Sequence, residues 1–276
     1  MESRWPTTSS DTLEARLTNW RAVGQRALIP YLTCGFPDPA ATPAILDALA
    51  EGGADIIELG VPFSDPVADG PTIQRSSQIA LEHGVTLADT LRMLGDFRRR
   101  HDTAVVLFTY LNPLLRYGVD RFIRDAVDAG VHGVLLTDLP VGGDDELEAA
   151  FDASPLALIR LIAPTTPPGR AREIAARARG FIYYIARMGV TGASSELRAS
   201  LADEVAALRA VSQVPVAVGF GISTPEQAAI VAGAADGVIV GSALIDTIEE
   251  RGADGARDMM QAMRRAMDAA TAVNGG

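Results

Sequence analysis

DIIELGVPFSDPVADGPTIQ, residues 55–74, decides how the whole chain is read. Ile56 to Gly60 is a short apolar run interrupted by one acid, Glu58, and Pro62, Pro66 and Pro71 behind it exclude a regular helix or an interior strand. A carboxylate therefore sits where a buried strand opens onto a stiff loop. Asp65 and Asp69 lie on that loop, so three acids can converge on one mouth, an arrangement suited to proton transfer.

Outward from this stretch, apolar runs alternate with helical ones. Ala27–Thr33 and Ile56–Gly60 are followed by Ala104–Thr109, Gly133–Thr137, Leu156–Ile162, Phe181–Ile185, Val214–Val218 and Gly237–Val240. Helical patterns over 43–51, 72–82, 86–99, 120–129, 144–152, 168–179, 197–210, 224–232 and 254–273 separate or follow them. Another helix over 12–23, with Asp11 as its N-cap and Leu13, Leu17 and Trp20 on one face, comes first. Parallel strands need crossover helices, and eight such units can close on themselves. The expectation is a (β/α)8 TIM barrel with an extra N-terminal helix, one domain over residues 1–276. The competing doubly wound open sheet would leave the run at Ile56 or Val238 on an exposed edge.

Composition narrows the function. A net charge of −11 argues against broad nucleic-acid binding, which needs a basic surface. No apolar run reaches the roughly 18 residues that span a bilayer, and the N-terminus has no apolar signal core. With Cys34 as the only cysteine, a cytoplasmic address is expected. All 24 basic residues are arginine, which excludes a Schiff-base lysine in this chain.

In a barrel of this kind the chemistry lies at the C-terminal strand ends. Glu58, Asp69, Tyr110, Asn112, Asp138, Tyr183 and Thr191 fall there, whereas His83, His101 and His132 precede strands or end helices. A three-histidine metal site is therefore not expected. VGFGIS at 218–223 and VGSA at 240–243 follow the seventh and eighth runs, where small residues and a helix start near Ser242 suit a phosphate. GVTGA at 189–193 is a third candidate contributor, and the ligand is expected to be a small phosphorylated molecule.

IELGVPFSDPVADGPTIQ at 57–74, APTTP at 163–167, GVTGA at 189–193 and GFGIS at 219–223 together resemble the tryptophan synthase alpha subunit family in order and spacing. The likeness runs from about Leu28 to Glu249. It implies an eight-stranded barrel that reversibly cleaves indole-3-glycerol phosphate to indole and glyceraldehyde 3-phosphate. By the same resemblance Glu58 is the acid/base, Asp69 binds the indole nitrogen and Tyr183 faces the glutamate. Gly192, Gly221, Gly241 and Ser242 hold the phosphate, with Phe220 and Thr191 contacting substrate. Tyr110, Asn112 and Asp138 align with residues that close the site or touch a partner. That partner is a beta subunit carrying pyridoxal phosphate in an alpha2-beta2 heterotetramer, this chain holding no cofactor.

Three plainer readings stand beside these. Asp69 could cap the helix entered at Pro71 or Thr72, Asp138 could serve a turn, and strand register decides whether Tyr183 or Tyr184 points inward. The chain departs from the family at Ala186 and Met188, which bear on closure of the sixth loop or its coupling to a partner, and separately at the first-loop segment 34–36. A stand-alone lyase and a catalytically silent phosphate-binding barrel that only activates its partner are the alternative functions.

Overall fold

The computed structural model describes residues 12–186, 195–219 and 221–274. Helix α1 (Leu13–Ala22) leads into β1 (Ala27–Thr33), α2 (Thr42–Glu51), β2 (Ile56–Gly60), α3 (Pro71–Glu82), α4 (Leu87–Arg98) and β3 (Ala104–Thr109). Then come α5 (Leu111–Tyr117), α6 (Val119–Asp128), β4 (Gly133–Leu136), α7 (Asp145–Asp152), β5 (Ala157–Ile162), α8 (Pro168–Ala176) and β6 (Ile182–Ile185). The chain ends with α9 (Ser195–Arg209), β7 (Val216–Gly219), α10 (Pro225–Ala234), β8 (Gly237–Val240) and α11 (Ser242–Asn274). The strands form a closed parallel barrel in sequence order, with β8 returning to β1.

Side chains alternate across that sheet and sort into two layers. Ile57 and Leu59 pack outward with Leu28, Leu32, Val105 and Leu107 under the helices. Ile56 faces the interior with Ala27, Ile29, Ala104, Val106 and Ile239. Glu58 shares this inward direction, in register with Tyr31 on β1 and Val106 on β3. Closure removes every sheet edge, which is why the strands tolerate near-continuous apolar sequence.

Helix α1 closes the floor. Its Leu13 and Leu17 are buried in the interior cluster with Ala27, Ile29, Ile56 and Ala157. The helix starts one residue later than the sequence suggests, and Thr12, not Asp11, caps it by accepting the Ala15 amide at 3.2 Å. Starting at Leu13 places that leucine against the barrel floor. Asp11 lies outside the described residues.

Helix α5 falls between the strand run Ala104–Thr109 and the helical pattern over 120–129, where the sequence shows no helical pattern. Pro113 sits in its first turn, where a missing N–H costs nothing. Asp138, from the end of β4, accepts the Leu111 amide at 2.7 Å and so serves the helix start. The long α11 breaks at Gly252, whose backbone (φ 61°, ψ −150°) leaves the helical region, so the helix entered at Ser242 and the tail helix are separate rods.

At the floor, Asp236 joins three strands. Its carboxylate receives Arg209 at 2.6 Å and the Val216 amide at 2.9 Å, and its backbone links Val216 and Ala27. Two of the histidines, His101 and His132, occupy the same end, whereas His83 lies towards the mouth, two residues before Val85, which packs on Gly35 just beyond β1. His83 caps α3, His101 meets Asp47 at 2.9 Å, and the His132 Nδ1 accepts the Val105 amide at 3.3 Å. Among the described residues, no helix is long and apolar enough to cross a membrane.

Candidate active site

The opposite end of the barrel opens into a cavity of about 480 Å³. Glu58 lies on its floor with Tyr31 and Tyr183, Asp69 on one wall, and Gly221, Gly241 and Ser242 at the far rim. Six of these seven residues are ones the sequence singled out; the seventh, Tyr31, sits within an apolar run and draws no notice there. Alternation along β1 was the available signal, because residues i and i+2 of a strand share one face. Thr191, Gly192 and Phe220 lie outside the described residues, as does Met188.

Glu58 is 1% exposed, and its Oε1 has no hydrogen-bond partner. Burial alone pushes its pKa up to about 8, since an apolar enclosure disfavours the charged form. Near pH 7 it is mainly a neutral acid. Asp69 behaves differently. Burial raises it to about 6, while the Tyr110 hydroxyl, donating to its Oδ2 at 3.0 Å, opposes the rise. Near pH 7 Asp69 is mainly a carboxylate, so two acids on one cavity hold different protonation states.

The Asp69 loop is braced by its surroundings. Tyr110 also accepts the Ala68 amide at 3.0 Å, and its ring packs on Phe63 at 5.1 Å. Gln74 donates to the Asp69 carbonyl at 2.9 Å. Helix α3 takes Gly70 as its N-cap with no side-chain bond, so Asp69 is not its cap. Tyr110 is thus the hub that aims Asp69, a role 41 residues of separation conceal in the sequence.

Register settles the tyrosine pair. Tyr183 lines the cavity, whereas Tyr184 points to the helices and donates to Glu204 at 2.7 Å. Room for Tyr183 depends on Gly219, where a Cβ would lie 2.6 Å from the Tyr183 hydroxyl and 3.1 Å from Ile239. Gly219→Ala is therefore expected to push Tyr183 off its position at a cost of about 1–3 kcal/mol. Urea unfolding of the variant measures it, and an unchanged midpoint would show that the ring swings aside freely.

The far rim presents a glycine turn and a helix start. Gly221 adopts φ +75°, turning the chain beneath the cavity, and α11 starts at Ser242 on its wall. The first amides of a helix have no intrahelical acceptor and carry the positive end of its dipole. Asp246, one turn further on, is offset by Arg75 at 3.6 Å. At the neighbouring α10, Gln227 already takes the Ser223 amide at 2.8 Å, leaving the Ser242 end as the better receptor.

A closed barrel whose mouth holds two differently protonated acids opposite a helix start is the arrangement of a TIM-barrel enzyme. The tryptophan synthase alpha chain family profile matches residues 17–274, and the chain belongs to that family. It is 53% identical over 225 residues to the tryptophan synthase alpha chain of Geobacter sulfurreducens, covering 82% of this chain and 85% of the relative. The Laribacter hongkongensis alpha chain is 47% identical, with 93% and 99% covered. Among solved structures, tryptophan synthase subunit alpha from Legionella pneumophila superposes with TM-score 0.84 at 38% identity, covering 93% of this chain and 98% of that one. Tryptophan synthase from Mycobacterium tuberculosis gives 0.85 at 41%, with 92% and 97% covered.

Proposed function

We propose that this chain is the indole-3-glycerol phosphate lyase of tryptophan synthase, with Glu58 as its acid and base. The observation that carries the assignment is the partnerless Glu58 carboxyl, protonated near neutrality, on the same cavity as an ionised Asp69. In the reaction Glu58 gives its proton to indole C3. Positive charge then builds on the ring nitrogen, where Asp69 receives the N–H. The Glu58 carboxylate next takes the proton of the side-chain hydroxyl adjacent to C3. The carbon–carbon bond breaks, its electrons restore the aromatic ring, and the aldehyde of glyceraldehyde 3-phosphate forms. Glu58 ends protonated, ready for another turnover.

Phosphate at Gly221, Gly241 and Ser242, remote from the bond that breaks, supplies binding energy for orientation. Gly192, Thr191 and Phe220 complete this reading from the sequence. The cleavage calls for no cofactor in this chain. Pyridoxal phosphate belongs to a beta subunit, with which the chain would form an alpha2-beta2 heterotetramer in the cytoplasm as a single barrel domain. Val67, 83% exposed, and Leu115, 49% exposed, stand on loops and helices around the mouth, an apolar rim suited to that partner.

The test is indole release from indole-3-glycerol phosphate by the purified chain, alone and with a beta subunit, beside gel filtration of the mixture. Slow release that accelerates in a co-eluting complex is expected. Fast release indifferent to the beta subunit would make the chain a stand-alone lyase, and no release in either condition would reduce it to a silent activator.

A further inference from the structure

Tyr31 has no part in the reaction as written, yet it shares the cavity floor with Glu58. The two are register partners on adjacent parallel strands, so their side chains point the same way. Its hydroxyl lies over Gly60, where a Cβ would overlap it, two residues beyond Glu58 on the inward face. From there a line of buried hydroxyls leaves the cavity. Tyr31 Oη is 3.2 Å from Thr33 Oγ1, Thr33 Oγ1 is 2.6 Å from Ser76 Oγ, and Ser76 donates to the Ile73 carbonyl at 2.9 Å.

Each hydroxyl has one proton, so this line has two consistent orientations. In the first, Tyr31 donates to Thr33, Thr33 to Ser76 and Ser76 to Ile73, which leaves a Tyr31 lone pair facing the cavity. In the second every hydroxyl rotates, Ser76 donates to Thr33 and Thr33 to Tyr31, and the Tyr31 O–H faces the cavity. The first makes one more internal bond and prevails until the cavity offers an acceptor. Glu58, with its unpartnered Oε1, becomes that acceptor when it loses its proton.

We propose that Tyr31, Thr33 and Ser76 form a reversible hydroxyl chain that positions Glu58. While Glu58 is protonated, Tyr31 is turned to Thr33 and leaves the carboxyl unpartnered, as in this structure. Once the proton has passed to substrate, Tyr31 turns and donates to the carboxylate. The proposal rests on Glu58 being the acid/base. No proton leaves the chain, because each hydroxyl only turns about its C–O bond. Tyr31 stays neutral throughout, since burial and the nearby Asp69 and Glu58 charges all raise its pKa. The other titratable groups lining the cavity, among the described residues, are Tyr183 on β6, Asp69 on the loop after β2 and Asp246 at the rim. Tyr31 is accordingly a positioning residue.

The test is a carbon-13 titration of the Glu58 carboxyl in the free protein, assigned by its loss in Glu58→Gln. Tyr31→Phe removes the donor, and the Glu58 midpoint should rise by about one pH unit. Thr33→Val removes the competing acceptor, frees the Tyr31 O–H for Glu58, and should lower the midpoint by a similar amount. Thr33→Ser should restore the wild-type value, and Ser76→Ala replaces Thr33→Val if the latter fails to fold. A packing defect moves both variants the same way, so shifts of one sign, or none, overturn the proposal. If the wild type releases no indole while the midpoints still move in opposite directions, the reaction assignment fails and the hydroxyl chain stands. If Glu58→Gln abolishes release while the midpoints stay fixed, the reverse holds.

Discussion

Glu58→Gln is expected to lower indole release by about 10²- to 10⁴-fold, with binding of the phosphorylated substrate little changed. Glutamine keeps the shape of the side chain but can neither give a proton to C3 nor take one from the hydroxyl. The proposed phosphate subsite at Gly241 and Ser242 is on the opposite rim and is untouched. Single-turnover kinetics with a binding measurement separates the two effects. A loss confined to KM would mean that Glu58 holds substrate without transferring protons.

The same substitution should stabilise the fold. Glu58 titrates at about 8 in the folded chain, against about 4.3 when unfolded. Below the unfolded value both states are protonated and the acid costs nothing. As pH rises from there through 8, the unfolded chain ionises first and folding loses stability, on the order of a few kcal/mol. Glu58→Gln removes this loss, so its advantage in urea unfolding should be small near pH 4 and full above pH 8. An advantage that does not vary with pH would place its origin in packing.

Asp236→Ala is expected to cost about 3–5 kcal/mol. The carboxylate is 1% exposed and meets Arg209 at 2.6 Å, so truncation leaves a partly buried guanidinium without its counter-charge. It also strips the Val216 amide of its 2.9 Å acceptor. Gly219 and Gly241 lie at the far ends of the strands that this residue ties, so substrate affinity should fall with stability. Asp236→Asn, which retains an acceptor for the amide, should lose less. A urea midpoint within about 0.5 kcal/mol of wild type for the alanine variant would show that the seam is held by strand pairing alone.

The barrel was readable because parallel strands buried on both faces print as apolar runs, and Glu58 stands out as the one acid in such a run. The proline-bounded loop likewise announced Asp69. Residues whose roles depend on contacts across the fold did not print. Tyr110 reaches Asp69 over 41 positions, and Tyr31 looks like any aromatic in a strand until pairing sets it beside Glu58. Helix α5 was hidden by Pro113, which reads as a breaker although the first helical turn accepts it. The tyrosine pair at 183 and 184 needed register, which the sequence leaves free.

With Leu13 and Leu17 of α1 sealing the floor, the interior is a blind well. Among the described residues the floor offers no way out, so indole leaves by the mouth through which substrate arrives. Whatever docks on the rim near Val67 and Leu115 therefore becomes the gatekeeper of both traffic directions. A partner seated there need not touch the acids to decide where indole goes next.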